Sequence, residues 1–257
     1  MFETIEYEVK DRVSWIRLNR PNKLNAFTSL MNKEVAKAVN QATNDQEVRC
    51  IVITGNGRAF CSGQDLSSVE EGVDHAEMLR STYNPMVKEI TSSSKPVIAA
   101  VNGVAAGAGM SLALACDFRL AHERASFIEA FVHVGLVPDS GSTYFLPRLL
   151  GHAKALELAM LGEKVSAADA KELGLVTDMF SNEYWEQGMN QFANRLASLP
   201  PKAVQHIKQN FQRSWESNLD EVLEMEAVTQ GEAGKTNDHL EGIQAFTEKR
   251  KPVFHGS

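Results

Sequence analysis

The chain has 257 residues, enough to bury a substantial core as one large domain or as one domain with an appendage. At 43% hydrophobic, 23% charged and a formal net charge of −7, it has the composition of an ordinary globular protein, and the acidic balance argues against a nucleic-acid-binding surface. No apolar run approaches the ~20 residues of a membrane span, no basic-then-apolar leader opens the chain, and three cysteines in apolar or loop settings point to a reducing, cytoplasmic setting rather than a disulfide scaffold.

In chain order, the spacing of Phe2, Ile5, Tyr7 and Val9 predicts a first strand, and Val13–Leu18 a second after Lys10-Asp11-Arg12. Thr28 is placed to cap a helix that carries Leu30, Met31, Val35, Ala38, Val39 and Ala42 at helical spacing. Cys50–Thr54 reads as a buried strand, and His75–Ser92 as a helix that Pro85 kinks or breaks. Val97–Val101 is another buried strand, followed by a helix from Gly109 to Cys116 and strands at Phe118–Ala121 and Ser126–Ile128. Beyond Gly141 the chain reads as mostly helical, starting with Ser142–Leu150 and broken by one short strand at Leu175–Phe180. Strand–helix units recurring at roughly 45 residues suggest a layered or spiral α/β architecture. Pro200-Pro201 is the best boundary, dividing residues 1–199 from residues 200–257. After it come amphipathic segments with Val204, Ile207, Phe211 and Trp215, then Leu219, Val222, Leu223 and Met225, then Leu240, Ile243 and Phe246 within Asp238–Lys249. Helices this short are not stable alone, so they must pack on their own core or on another subunit.

Two segments carry most of the chemical information. They are Arg58–Leu66 (RAFCSGQDL) and Val97–Ser111 (VIAAVNGVAAGAGMS). Each runs from a buried strand through glycines into a helix start, which presents free backbone N–H groups. With Gln64 and Ala108 at corresponding places, two N–H groups could be aimed at one oxygen, which is an oxyanion hole. Taken singly, Gly63, Gly103, Gly107 and Gly109 read equally well as tight turns and close strand–helix contacts. Gly107-Ala108-Gly109 lacks the third glycine of a dinucleotide fingerprint and no Walker-type Gly-Lys-Ser/Thr is present, so no nucleotide cofactor is indicated.

These two motifs, with Leu18–Ala26 (LNRPNKLNA) and Lys249–Phe254 (KRKPVF), resemble the enoyl-CoA hydratase/isomerase (crotonase) superfamily along nearly the whole chain. The resemblance implies a spiral of repeated ββα units, with a catalytic core over 1–199 and a helical trimerisation region over 200–257. It implies a homotrimer or a dimer of trimers, a coenzyme-A thioester substrate, an enolate-like intermediate and no metal or redox cofactor. It places the thioester oxygen at the N–H groups of Gln64 and Ala108, although the family more often has glycine at the second place. Acyl-CoA would lie along Lys23, Leu24, Cys61, Gly63, Gln64 and Asp65. Leu66, Ser67, Gly107, Ala108 and Phe131 would complete that wall.

Typical hydratases of this family flank the double bond with two glutamates, and here those places hold Ser111 and Phe131. The stretch Gly135–Gly141 (GLVPDSG) instead resembles the ring-1,2-epoxyphenylacetyl-CoA isomerase branch and some Δ3,Δ2-enoyl-CoA isomerases, where an acidic residue at the place of Asp139 shuttles a proton. The expected function is therefore a double-bond shift in an enoyl-CoA of fatty-acid or phenylacetate metabolism. The alternatives are an enoyl-CoA hydratase that uses Glu129, and a non-catalytic acyl-CoA-binding member. Asp139 also reads as the N-cap of the helix after it. Glu129 would share a face with Phe131 if both lie on a strand. His133 reads as a packed side chain, Cys116 as core, Asp65 as a capping residue of its loop, and Cys61 lacks an evident activating histidine. Lys23, Arg58 and Lys249-Arg250-Lys251 are phosphate neighbours by charge, or simply solvated surface.

Overall fold

The computed structural model describes residues 2–68, 72 and 74–257. Among the described residues ten strands form two sheets: β1 (Ile5–Lys10), β2 (Val13–Leu18), β3 (Cys50–Gly55), β4 (Ala59–Cys61), β5 (Val97–Val101), β6 (Val104–Ala106), β7 (Phe118–His122), β8 (Ser126–Ile128), β9 (Val165–Ser166) and β10 (Asp178–Phe180). The larger sheet runs β1-β2-β3-β5-β7-β10 and the smaller β4-β6-β8-β9. Strand pairs are parallel except β1 with β2 and β8 with β9. Consecutive strands therefore alternate between sheets: β3 then β4, β5 then β6, β7 then β8. Each pair is followed by helix, so the chain advances as a spiral of ββα turns.

The helices are α1 (Ser29–Asn44), α2 (His75–Met78), α3 (Asn84–Ser92), α4 (Ala108–Ala115), α5 (Ser142–Leu150), α6 (His152–Leu161), α7 (Ala167–Glu172), α8 (Trp185–Ala197), α9 (Pro201–Ser214), α10 (Leu219–Ala233) and α11 (Asn237–Glu248). Thr28 caps α1 as expected, its side chain accepting from the Met31 amide at 3.2 Å. The expected single helix over 75–92 is two helices joined by a π turn at Leu79–Tyr83. The wide turn ends where Pro85 enters the first turn of α3, a position at which a missing N–H does no harm.

The central strands are buried on both faces, and the two-residue strand period sorts their side chains. Ile51, Ile53, Val97, Ala99 and Val101 join the main core with α1, α3 and α4. Their alternates Cys50, Val52, Ile98 and Ala100 pack with Trp185, Met189 and Ala193 of α8. All eight residues of α4 are buried, consistent with a segment apolar on every side.

The last three helices differ. No residue of α9 or α10 is buried. Phe211, Leu219 and Phe246 are 70%, 71% and 86% exposed. Polar ties hold this region to the core. Lys208 pairs with Asp117 at 2.8 Å, Gln212 donates to the Thr91 carbonyl at 2.9 Å, and Arg49 donates to the Phe254 carbonyl at 2.7 Å. Among the described residues no helix is long and apolar enough to cross a membrane.

Candidate active site

The two glycine loops meet. A Cβ built on Gly109 would lie 2.2 Å from the Cys61 carbonyl oxygen, and one on Gly63 would lie 2.9 Å from the Ala106 oxygen and 3.6 Å from the Ala108 nitrogen. Only residues without a Cβ let the loops approach this closely. Gly63 at φ 95° and Gly107 at φ 51° also occupy the left-handed region.

The backbone around Gln64 shows where its own amide points. The Gly63 carbonyl accepts from the Phe27 amide at 2.7 Å, and the Asp65 amide donates to the Phe27 carbonyl at 2.9 Å. Gln64 and Phe27 thus form a parallel bridge in which the flanking groups face Phe27. The Gln64 N–H is left directed to the opposite side. Ala108 is the first residue of α4, so its N–H is one of the orphan amides of a helix start. Two amides on loops in contact can polarise one carbonyl oxygen.

Side chains fix these loops. Asp65 pairs with Arg20 at 2.8 Å and accepts from the Ser67 hydroxyl at 2.6 Å. The Ser67 hydroxyl and the Arg20 guanidinium hold its carboxyl down at about 2. Asn25 accepts from the Arg20 amide and donates to the Asn56 and Ala59 carbonyls, each at 2.9 Å. Leu24 and Asn25 are both left-handed, at φ 51° and 55°, and the Leu24 carbonyl accepts from the Ser62 amide at 3.1 Å. Lys23 and Leu24 therefore lie beside the first glycine loop, with Lys23, Leu66 and Ser67 exposed. Cys61 is buried, and burial pushes its thiol up to about 12, the wrong direction for a nucleophile. Arg250, in the C-terminal basic run, is engaged by Glu241 and Glu248.

Asp139 sits on the turn between a 3₁₀ segment (Ala130–Val134) and α5. It is not the N-cap: that residue is Gly141, and no side chain caps α5. Ser140 and Gly141 are both left-handed, at φ 52° and 85°, and a Cβ on Gly141 would lie 2.6 Å from the Phe145 ring. This strained corner leaves the half-buried Asp139 carboxyl accepting from the Ser140 hydroxyl at 2.8 Å. Burial raises its pKa, opposed by the Ser140 hydrogen bond and by the charge of His75.

Tyr83 supports the first glycine loop. Its hydroxyl donates to Gln64 Oε1, and its ring packs edge-on to Phe27 at 5.8 Å. Burial raises its pKa, and so do the neighbouring Cys61 and Asp139. Phe131 is buried in the 3₁₀ segment, its ring tip 3.9 Å from where a Gly107 Cβ would be. Ser111 is fully buried and donates to the Gly107 carbonyl at 3.3 Å. Glu129 is off the strand, since β8 ends at Ile128, so the shared strand face with Phe131 does not exist. Glu129 is nonetheless brought near Asp139, whose charge adds to burial in pushing its carboxyl up to about 7. Beside the Asp139 turn, an apolar cavity of about 420 Å³ is lined by Val87, Leu114, Phe145 and Trp215 among others. Among the described residues no three His, Cys, Asp or Glu side chains gather as a metal-ligand set. Tyr83, which lies at the end of the π turn, carried no motif in the sequence, and neither did His75, whose charge acts on Asp139.

Known proteins resemble this chain along its whole length. A model of the enoyl-CoA hydratase/isomerase family matches residues 8–257. The chain is 42% identical over 256 residues to a probable enoyl-CoA hydratase of Rhodobacter capsulatus, with 99% of each chain covered. It is 40% identical over 261 residues to the 1,2-epoxyphenylacetyl-CoA isomerase of Escherichia coli, with 100% of each covered. A crystal structure of an enoyl-CoA hydratase from Bacillus anthracis superposes with a TM-score of 0.94 at 33% identity, covering 99% of this chain and 100% of that one. The fold is the crotonase spiral, and the chain belongs to the enoyl-CoA hydratase/isomerase family.

Proposed function

We propose that this protein is an enoyl-CoA isomerase that moves a double bond along an acyl-CoA thioester, with Asp139 as the proton shuttle. One observation carries the reading. Asp139 is a half-buried carboxylate freed from helix capping, within electrostatic reach of Tyr83, which in turn holds Gln64. The places the resemblance gives to the hydratase glutamates hold Ser111, turned back on its own helix, and the Phe131 ring.

The thioester oxygen accepts from the N–H groups of Gln64 and Ala108. Asp139 takes a proton from the carbon α or γ to the thioester. The C–H electron pair becomes part of the conjugated enolate, and the charge collects on the oxygen held by the two amides. Protonated Asp139 returns the proton at the other end, and the double bond has shifted. One carboxylate suffices because the proton is lent and given back. Gly63 and Gly107 shape the hole. Lys23, Leu24, Cys61, Asp65, Leu66 and Ser67 line the coenzyme-A side, and Phe131 closes the acyl side.

Assembly as a homotrimer or dimer of trimers through residues 200–257, a cytoplasmic location, and a reaction without metal or redox cofactor belong to the same proposal. Hydration of a 2-enoyl-CoA is the second reading, favoured by one feature: Glu129 supplies a second carboxylate beside Asp139. Mass-resolved product analysis separates them. A 3-enoyl-CoA should give a product of unchanged mass, and crotonyl-CoA should gain water slowly or not at all. Hydration at the ~10 s⁻¹ of an average enzyme would favour the second reading.

A further inference from the structure

The shuttle uses one carboxylate, and the structure holds a second that the shuttle leaves unassigned. Glu129 is 1% exposed. Its Oε1 accepts from the Ser142 hydroxyl at 2.6 Å, while its buried Oε2 has no hydrogen-bond partner among the described residues. Ser142 is also the residue whose amide donates to the Asp139 carbonyl at 2.9 Å. One serine therefore ties the Glu129 side chain to the backbone of the Asp139 turn.

We propose that Glu129 is a positioning residue for Asp139: through Ser142 it fixes the Asp139 turn, and through its own ionisation it raises the basicity of Asp139. The inference rests on Asp139 being the proton shuttle. A purely structural role would be met as well by glutamine, which fills the same space and accepts the same hydrogen bond without a buried charge. The carboxyl adds a charge that can be switched.

The groups facing the pair set the order of the switch. Ser142 donates to Glu129 and Ser140 to Asp139, while the charge of Asp139 acts on Glu129 and Tyr83 and that of His75 on Asp139. Burial and the Asp139 charge delay Glu129 to about 7, against the pull of the Ser142 hydroxyl. The first proton lost from the pair thus leaves Asp139 charged, and the second leaves both charged. Interaction between two charges is mutual, so ionised Glu129 makes Asp139 the stronger base.

The test is the pH–rate profile for a 3-enoyl-CoA, with proton removal limiting. The wild-type rate should rise through pH 7 by on the order of threefold or more. Glu129→Gln should abolish that rise while leaving KM within about twofold. Ser142→Ala, which removes the hydrogen bond holding the Glu129 pKa down, should move the rise to higher pH, and it carries the test if the glutamine variant does not fold. A second arm needs no turnover. The protonated-carboxyl infrared band of Glu129, assigned by its loss in Glu129→Gln, should titrate at lower pH in Asp139→Asn. A wild-type profile flat through pH 7, a rise that survives Glu129→Gln, or a Glu129 titration unmoved in Asp139→Asn would overturn the proposal. So would a folded, substrate-binding Glu129→Gln variant with no turnover at any pH, since Glu129 would then be the reacting base. Wild-type isomerisation by Asp139→Asn would instead overturn the shuttle itself.

Discussion

Glu129→Gln should make the protein more stable at alkaline pH, and the size of the gain follows from the site. Burial and the neighbouring Asp139 raise the Glu129 carboxyl from an ordinary 4.5 to about 7 in the folded chain. A group whose folded pKa lies above its unfolded one stabilises the fold while protonated. That contribution is complete below about 4.5 and is lost as the pH rises through about 7. A shift of this size, at ~1.4 kcal/mol per pH unit, corresponds to about 3 kcal/mol as a ceiling. Glutamine keeps the Ser142 hydrogen bond and carries no charge, so it avoids the loss. For a chain of this length 1 kcal/mol is roughly 2–4 °C in Tm, which places the expected difference at up to about 6–12 °C above pH 8, shrinking to near zero at pH 4.5. Thermal unfolding of both proteins at one fixed concentration across that range is the measurement, since assembly would otherwise shift Tm by mass action. Parallel Tm curves for the two proteins would show that Glu129 is not the desolvated, charge-coupled group described above.

Three other outcomes are expected. Asp139→Asn should lower isomerisation by on the order of 10²-fold. At pH 8 it should leave Tm equal or higher, because Gly141 caps α5 and the raised Asp139 carboxyl destabilises the fold when ionised; a loss of about 1 kcal/mol would restore the capping role. Gly109→Ala places a Cβ 2.2 Å from the Cys61 oxygen, so the loops must part by roughly 1 Å, and turnover should fall about 10²-fold with the helical circular dichroism retained; wild-type turnover would mean that the two amides do not act together. Phe246→Asp, at an apolar side chain 86% exposed, should reduce the mass measured by light scattering from a trimer or hexamer toward a monomer; a monomeric wild type would remove the assembly proposal.

Local chemistry was legible in the sequence wherever it acts over a few residues. Thr28 announced a cap, and the apolar run after Gly107 announced a buried helix, because capping and periodicity are short-range. Of the smaller sheet only β8 (Ser126–Ile128) was legible; β4, β6 and β9 span three, three and two residues, too short for a period to show, and their pairing partners lie far away in sequence. Asp139 was ambiguous for a different reason. An acidic residue shortly before a helix fits a cap by spacing alone, and only the left-handed Ser140 and Gly141 shift the helix start past it. Asn25 and Tyr83 hold the first loop through contacts with residues 31, 34 and 19 positions away in sequence, which no local pattern encodes.

The distribution of charge explains why the amide pair and the carboxylates belong together. Asp139, Glu129 and Tyr83 all have pKa values raised first by burial, so the pocket disfavours negative charge in general. Forming an enolate there would add a charge to a site that already resists one. In the proposed isomerisation, transfer of the proton to Asp139 removes one negative charge as the enolate creates another, so the total is unchanged and only its place moves. On that proposal the new place is the oxygen beside Gln64 and Ala108, where fixed N–H dipoles would replace water. The same desolvation that makes Asp139 a better base makes the amides more effective, because both act in a low dielectric. A pocket opened to water would weaken both at once. The edge-on packing of Tyr83 against Phe27, and the buried Phe131 ring near Gly107, would therefore serve the proposed chemistry by excluding water, although neither ring exchanges a proton.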